Sequence, residues 1–394
     1  MVAPGSWTKT RLSWLFKPVS DRGHEDATVL SVYRDHGLVP KDSRTDNFNR
    51  TPENLSNYQL VRSGDLVVNR MKAWQGSLGI SEHHGIVSPD YEVLRPVGLE
   101  YDRRFLHFLL RSRALIDQYA LRSMGIRPSQ WRLYWDEMKT IEVCLPSGAE
   151  QRAIADYLDL ETARIDALIE EQQCLIDMLR ERRAAALVDA FASMQGEAPA
   201  VHRQPIPWLP ELRVEQAQMR HLCTVGTGYS DSANAVDEGY PFFVRGDQPL
   251  ALGTYEFDTE AIITAGDGAM VGRSFHHYRG KFAAHQRVYV LRDFVGIVPR
   301  YLYWYFSTFF IRVVGDGGAQ ATVPSVRMPM IAGMSVPVPA VDEQLRIAAY
   351  LDELTAKIGA LIAETERFIE LARERRSALI TAAVTGQLDV RVVA

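Results

Sequence analysis

The chain has 394 residues, more than one compact core needs, and 46% hydrophobic with 24% charged residues places it among soluble globular proteins. A formal net charge of -5 gives no basic footprint for nucleic acid and no acidic tail. Three scattered cysteines (Cys144, Cys174, Cys223) form no CxxC spacing, which argues against a disulfide framework or a zinc site. The N-terminal stretch lacks a signal-peptide core, and no apolar run reaches the ~18 residues of a membrane span. A reduced, cytoplasmic protein is the expectation.

The first head opens the chain. Its segments GDLVVNRM, GSLGI and GIVSPDYEVLRP are Gly-bounded and rich in β-branched residues, as strands are, and the helical stretch FLHFLLRS follows them. Two polar clusters stand out. NRMKAWQGS offers Arg70, Lys72, Trp74 and Gln75 in a loop after a strand. RSMGIRPSQWR offers Arg122, Ser123, Arg127, Ser129, Gln130 and Arg132, with Gly125 and Pro128 to shape the loop. Arg and Lys pair with guanine edges or phosphates, and Gln can read adenine.

A long helix comes next. Leu145–Phe191 aligns without gaps on Val338–Val384 at an offset of 193 residues, with 22 of 47 positions identical. Both copies are dominated by Glu, Gln, Leu, Ala and Arg, and only Gly359 interrupts the body of either. Ser147 with Glu150 forms a candidate capping box in the first copy, and the second copy does not repeat it. Spacing of three and four predicts a coiled-coil seam. In the first helix it runs through Leu158, Glu161, Ile165, Leu168, Gln172, Leu175 and Leu179. In the second it runs through Leu351, Leu354, Ile358, Leu361, Thr365, Phe368 and Ala372. A neighbouring stripe (Ile169, Ile176, Ile362, Ile369) widens the apolar face. Two independent amphipathic helices are the alternative, but two matched seams in one chain pair most simply with each other.

A Pro-rich linker, residues 198–210, leads into a second head of the same kind: strands in TEAIITAGDGAMVG and GKFAAHQRVYVLRD, then the aromatic run Tyr301–Phe310, which reads as core. Its candidate contacts are Gln320, Thr322, Ser325 and Arg327 in GDGGAQATVPSVR, just before the second long helix, with Arg245, Gln248 and Arg273 as weaker ones.

The expected fold class is α+β: two similar globular α/β domains separated by two long coiled-coil helices, with pseudo-twofold internal symmetry. The boundaries are 1–145, 146–196, 197–338 and 339–394. Each helix is a rod of roughly 65 Å. Parallel rods would oblige the second head to carry the chain back along that length, so antiparallel pairing is expected.

Charge partitions with this architecture. Residues 1–149 carry 20 Lys/Arg against 17 Asp/Glu, and residues 150–196 carry 5 against 10. Residues 197–341 carry 12 against 13, and the remainder 7 against 9. The negative balance sits on the helices, which leaves the heads compatible with DNA.

The arrangement resembles the DNA-specificity (S) subunit of type I restriction–modification systems. The resemblance rests on EQRAIADYLDLETARIDALI with EQLRIAAYLDELTAKIGALI, the ERR near the end of each helix, the TAAVTGQLDV terminus, and VLSVYRDHGLVPKDSR in the first head. It implies a non-catalytic subunit whose two target-recognition domains each read half of a bipartite double-stranded DNA target. It also implies docking to two methyltransferase (M) subunits, which use S-adenosylmethionine, with ATP-dependent restriction (R) subunits using ATP and Mg²⁺ as further candidate partners. No cofactor, metal or catalytic residue is expected in this chain, and no membrane.

Two other readings compete: a two-headed scaffold bridging proteins, and a stand-alone Mg²⁺-dependent nuclease. The nuclease reading rests on Pro89-Asp90 with Glu137-Met138-Lys139, a PD…ExK-like pattern of long spacing that the second head does not repeat.

Overall fold

The computed structural model describes residues 5–34, 37–43, 51–98, 101–127, 130–194, 206–209, 212, 214–315 and 325–390. They form two compact units. The first comprises Met1–Gln173 with Glu366–Ala394, and the second Cys174–Thr365. Each unit therefore holds one head and a stretch of both long helices.

In the first unit the chain runs β1 (Thr8–Arg11), α1 (Leu12–Leu15), β2 (Phe16–Val19), β3 (Leu30–Tyr33), β4 (Gly37–Pro40), β5 (Gln59–Val61), β6 (Leu66–Asn69), β7 (Leu78–Ile80), β8 (Gly85–Val87) and β9 (Tyr91–Pro96). Then come α2 (Arg103–Leu110), α3 (Arg113–Arg122), α4 (Trp135–Met138), β10 (Glu142–Leu145) and the first long helix, α5 (Gly148–Ala192). The central sheet has the order β2-β9-β6-β7, all antiparallel. Both faces are covered, which explains why β6 reads as a continuous apolar run rather than an alternating one. Leu66 and Val68 belong to the core under α2 and α3, while Val67 joins Leu30, Val32 and Val87 on the opposite face. Helix α2 starts where Asp102 accepts hydrogen bonds from the Arg104 and Phe105 N–H groups at 2.9 and 3.1 Å.

The second unit repeats this plan with β11 (Gln216–Gln218), α6 (Met219–Leu222), β12 (Thr224–Thr227), β13 (Tyr240–Phe243), β14 (Leu250–Leu252), β15 (Phe257–Ala265), β16 (Phe275–Ala284) and β17 (Val288–Arg292). It continues through α7 (Pro299–Gly315), α8 (Met328–Ala332) and β18 (Ser335–Pro337) into the second long helix, α9 (Val341–Val384). The strands β12-β17-β15-β16 match β2-β9-β6-β7 in order and direction. The second sheet is wider, because β13 pairs with β16 in parallel and brings β14 with it. The aromatic run is core: Tyr301, Trp304, Tyr305, Phe306, Phe309 and Phe310 are buried on α7. Ile206 and Leu209, in the stretch read as a linker, are also buried in this core.

Within each unit the two long helices pack antiparallel. In the first, Ile154, Ala155 and Leu158 share a core with Ile380, Ala383 and Val384, and further along α5 the Asp166 carboxylate meets Arg376. In the second, Ala190 and Phe191 share a core with Ile347, Ala348 and Leu351.

The seam differs from the sequence expectation at alternate positions. Leu158, Ile165, Leu179, Leu351 and Ile358 are buried, but Leu168 and Leu361 are 37% and 42% exposed, Phe368 is 42% exposed and Leu175 is half-buried. The inward positions between them are Thr162, Ile169 and Ile176 on α5 and Thr355, Ile362 and Ile369 on α9, one residue further along. The corrected heptad extends back to Gln151 and Gln344, which are buried as well. Leu and Ile stand side by side at 168/169 and 361/362, so hydrophobicity alone does not fix the phase. Two hydroxyls of the seam are satisfied locally, since Thr162 Oγ1 donates to Leu158 O and Thr365 Oγ1 to Leu361 O, both at 2.7 Å, whereas Thr355 Oγ1 is buried without a hydrogen-bond partner among the described residues.

Each head is tied to its long helix by the same device. Gln151 Oε1 accepts from the Asp102 N–H at 3.0 Å while its Nε2 donates to Pro146 O at 3.0 Å. Gln344 does the same with the Val298 N–H at 2.7 Å and Pro339 O at 2.8 Å. An arginine at the start of the head helix then reaches the long helix. Arg104 meets Asp156 and Asp159, each at 2.8 Å, and Arg300 meets Asp352 at 2.6 Å. Gln151 with Gln344, and Asp159 with Asp352, are repeat equivalents at the 193-residue offset.

Candidate nucleic-acid interface

In both heads the chain brings together the loop that follows the central strand and the loop that precedes the long helix. The Leu133 N–H donates to Arg70 O at 2.9 Å in the first head, and the Val326 N–H donates to Gly266 O at 2.8 Å in the second. Leu133 and Val326 are again 193 residues apart. The two polar clusters singled out in the first head are therefore one surface.

On that surface, Met124 and Arg132 pair through two backbone bonds, 3.0 and 2.9 Å. Gly125 is required there, because a Cβ would lie 2.6 Å from Gln130 O. Arg127 and Gln130 are exposed, and Ile126 is 95% exposed. Lys72 is exposed beside them and Gln75 is half-buried. Trp74 donates to Met71 O at 3.1 Å and packs edge-on against Trp131, ring centroids 5.4 Å apart, which clamps the two loops together.

Other candidates in the first head are turned toward the protein. Arg70 donates to Pro89 O at 2.8 Å and Asp90 O at 2.9 Å, bracing the turn before β9. Pro89-Asp90 is thus a held turn. Arg122 folds back onto the carbonyl and side chain of Gln118, and Ser123 Oγ donates to Tyr119 O at 2.8 Å, so both close the end of α3. Ser129, with Pro128, lies outside the described residues.

In the second head, Gln320 and Thr322 lie outside the described residues, while Gln248, Arg273, Ser325 and Arg327 are exposed. The Gly266 N–H donates to Arg287 O at 2.9 Å, and a Cβ at this position would come within 2.8 Å of that oxygen. That close approach delivers Asp267 between two guanidiniums: Arg287 Nη1 at 2.7 Å and Arg245 Nη1 at 3.2 Å. Burial alone would raise the Asp267 carboxyl, but the hydrogen bonds from Arg287 and Arg245 outweigh it and hold the group below the usual carboxylate range. Asp267 and Arg287 are not among the residues that the sequence pattern marks. Asp267 lies in a glycine cluster after β15, and Arg287 immediately precedes β17.

Nearby, His277 pairs with Glu260 at 2.8 Å, and burial depresses His276. Among the described residues no three His, Cys, Asp or Glu side chains come together as a metal site, and no described helix is long and apolar enough to cross a membrane.

Comparison with known proteins adds to this geometry. Residues 214–370 match the family model described as the type I restriction modification DNA specificity domain. Over 185 residues, 47% of this chain, the sequence is 31% identical to the type I restriction enzyme EcoDI specificity subunit of Escherichia coli. The match spans 39% of that relative's length. In fold, 98% of the chain superposes on all of a chain from a structure titled for complex assembly and conformational transition of the type I R-M system, with a TM-score of 0.75 and 16% identity. A second likeness, TM-score 0.52 and 16% identity, covers 98% of this chain and 99% of the HsdS subunit from Thermoanaerobacter tengcongensis. Residues 214–370 are thus similar to the type I restriction modification DNA specificity domain, and the fold around them is similar to that of type I R-M system chains.

Proposed function

We propose that the chain is the sequence-specific DNA-binding subunit of a type I restriction–modification complex and itself catalyses nothing. The observation that supports this best is the duplicated loop pair, Arg70 with Leu133 and Gly266 with Val326. It exposes a polar surface rich in arginine and glutamine at the same place in each head. Each surface reads one half of a bipartite double-stranded target. Lys72, Gln75, Arg127 and Gln130 contact bases or phosphates in the first half, and Ser129 is a further candidate. Arg245, Gln248, Arg273, Ser325 and Arg327 do so in the second, together with Gln320 and Thr322. The division 1–145, 146–196, 197–338 and 339–394 then separates reading from spacing, with the long helices acting as spacer.

Two methyltransferase subunits would supply S-adenosylmethionine chemistry, and restriction subunits ATP-driven chemistry. A cytoplasmic location follows from a role on cellular DNA. Footprinting of the full-length chain with methyltransferase subunits tests the reading. Protection of two short blocks at a fixed separation supports it, and a single continuous block or no sequence preference overturns it. Inserting one heptad in both long helices should change the separation and leave both blocks intact.

A further inference from the structure

We infer that Arg287 is a sequence-reading residue of the second head and that Asp267 is the positioning residue that aims it together with Arg245. The inference rests on the DNA-reading function proposed above and names the groups that carry specificity in one half-site.

A single carboxylate, mostly buried, receives one N–H from each of two guanidiniums whose remaining surfaces face outward. The Arg287 and Arg245 side chains are 63% and 48% exposed, and Asp267 only 18%. Asp267 is fixed at its base, because Gly266 bonds to the Arg287 backbone on one side and to Val326 on the other, and Asp267 itself bridges to Ser325. Arg287 is held at its backbone too, where its N–H donates to His285 Nδ1 at 3.0 Å. The adjacent Gln286 Nε2 donates to Asp231 Oδ2 at 3.1 Å, so the neighbouring amide is also oriented.

A free arginine loses rotamer freedom when it docks on a base, and a guanidinium already anchored through Nη1 has lost part of it beforehand. Each fork keeps Nε and Nη2 donors, the arrangement that meets guanine O6 and N7 in the major groove. A solvated surface ion pair needs neither the glycine hinge nor a second arginine. The first head has no equivalent carboxylate, since Met71 and Lys72 follow the matching backbone position Arg70. The device therefore belongs to one half-site only.

Selection of the full-length chain, with its methyltransferase subunits, from a random duplex library tests this. Wild type should return two sequence blocks. Arg287→Ala should lose preference at one or two positions of a single block by roughly tenfold or more, with the other block unchanged as an internal control for folding. Arg287→Lys keeps the charge but not the fork and should lose the same positions, and Asp267→Asn should weaken them less. A uniform loss of affinity for all sequences, with the salt slope reduced by about one, would make Arg287 a phosphate contact and overturn the proposal. Unchanged blocks in Arg287→Ala would overturn it equally. A wild-type selection without two blocks overturns the DNA-reading function beneath it, which is a separable result.

Discussion

Asp166 and Arg376 form an ion pair between the two long helices of the first unit, with Arg376 Nη2 donating to Oδ2 at 3.0 Å and Nε 2.8 Å from Oδ1. Repeat equivalence puts Arg183 in the place of Arg376, but Gly359 in the place of Asp166, so the second unit has the arginine without its carboxylate.

That asymmetry predicts a stabilising substitution. A Cβ at Gly359 meets nothing within 4 Å. Gly359→Ala should stabilise the protein by about 0.5–1 kcal/mol through helix propensity. Gly359→Asp should recover part of that gain and add up to about 1 kcal/mol from a pair with Arg183. Urea titration measures both, and the Asp increment should shrink in high salt.

The corrected seam makes a sharp prediction for two neighbours on α9. Ile369 is 3% exposed and Phe368 is 42% exposed. Ile369→Ala should cost about 2–4 kcal/mol, while Phe368→Ala should cost less than about 1 kcal/mol despite removing more atoms. Thermal unfolding with the reversed order would restore the phase that runs through Leu361 and Phe368.

At the joint between head and helix, Gln344 is fully buried and bonded on both sides of its amide. Gln344→Leu fills similar space but leaves the Val298 N–H and Pro339 O without a partner, which should cost about 2–3 kcal/mol. Gln151→Leu should cost a similar amount in the first unit. Hydrogen exchange should show the loosening confined to the unit that carries the substitution.

The pH dependence follows from His107. Desolvation, with the Arg111 cation beside it, pushes the imidazole down to about 3, far below its ordinary value of 6.5. The folded state therefore prefers the neutral ring, while the unfolded chain takes up a proton from about pH 6.5 downward. The stability from this group is complete above pH 6.5 and is lost as pH falls from there toward 3. The slope is under about 1.4 kcal/mol per pH unit. His107→Gln should flatten the curve between pH 6.5 and 4.5 in denaturant titrations. An unchanged slope would show that other groups dominate acid sensitivity.

The architecture was legible because it is written twice: 22 identities at a fixed offset reveal the helices, and the matched segments before them reveal the heads. The seam phase was only half legible. Leu168 and Ile169 are equally apolar, and what separates them is that Thr162 can hide its hydroxyl while Glu161 pairs outward with Arg164. For the candidate interface, loop placement ahead of each long helix pointed to a surface that the fold assembles from two loops in each head. The state of each side chain did not follow from it. Arg70 looks like a reader and instead braces a turn, whereas Asp267 looks like turn filler and instead grips two arginines. Such partners sit about 20 residues apart in sequence, in different loops between strands, where no local pattern connects them.

The chain enters and leaves each head on adjacent strands, β1 beside β10 and β11 beside β18. With its two ends already side by side, a head makes few demands on what lies between them. A recombination event that exchanged everything from one paired strand to the other would deliver a foreign domain onto an unaltered stem. Such an exchange holds provided the newcomer keeps a backbone N–H for the waiting glutamine and an arginine for the aspartate below it.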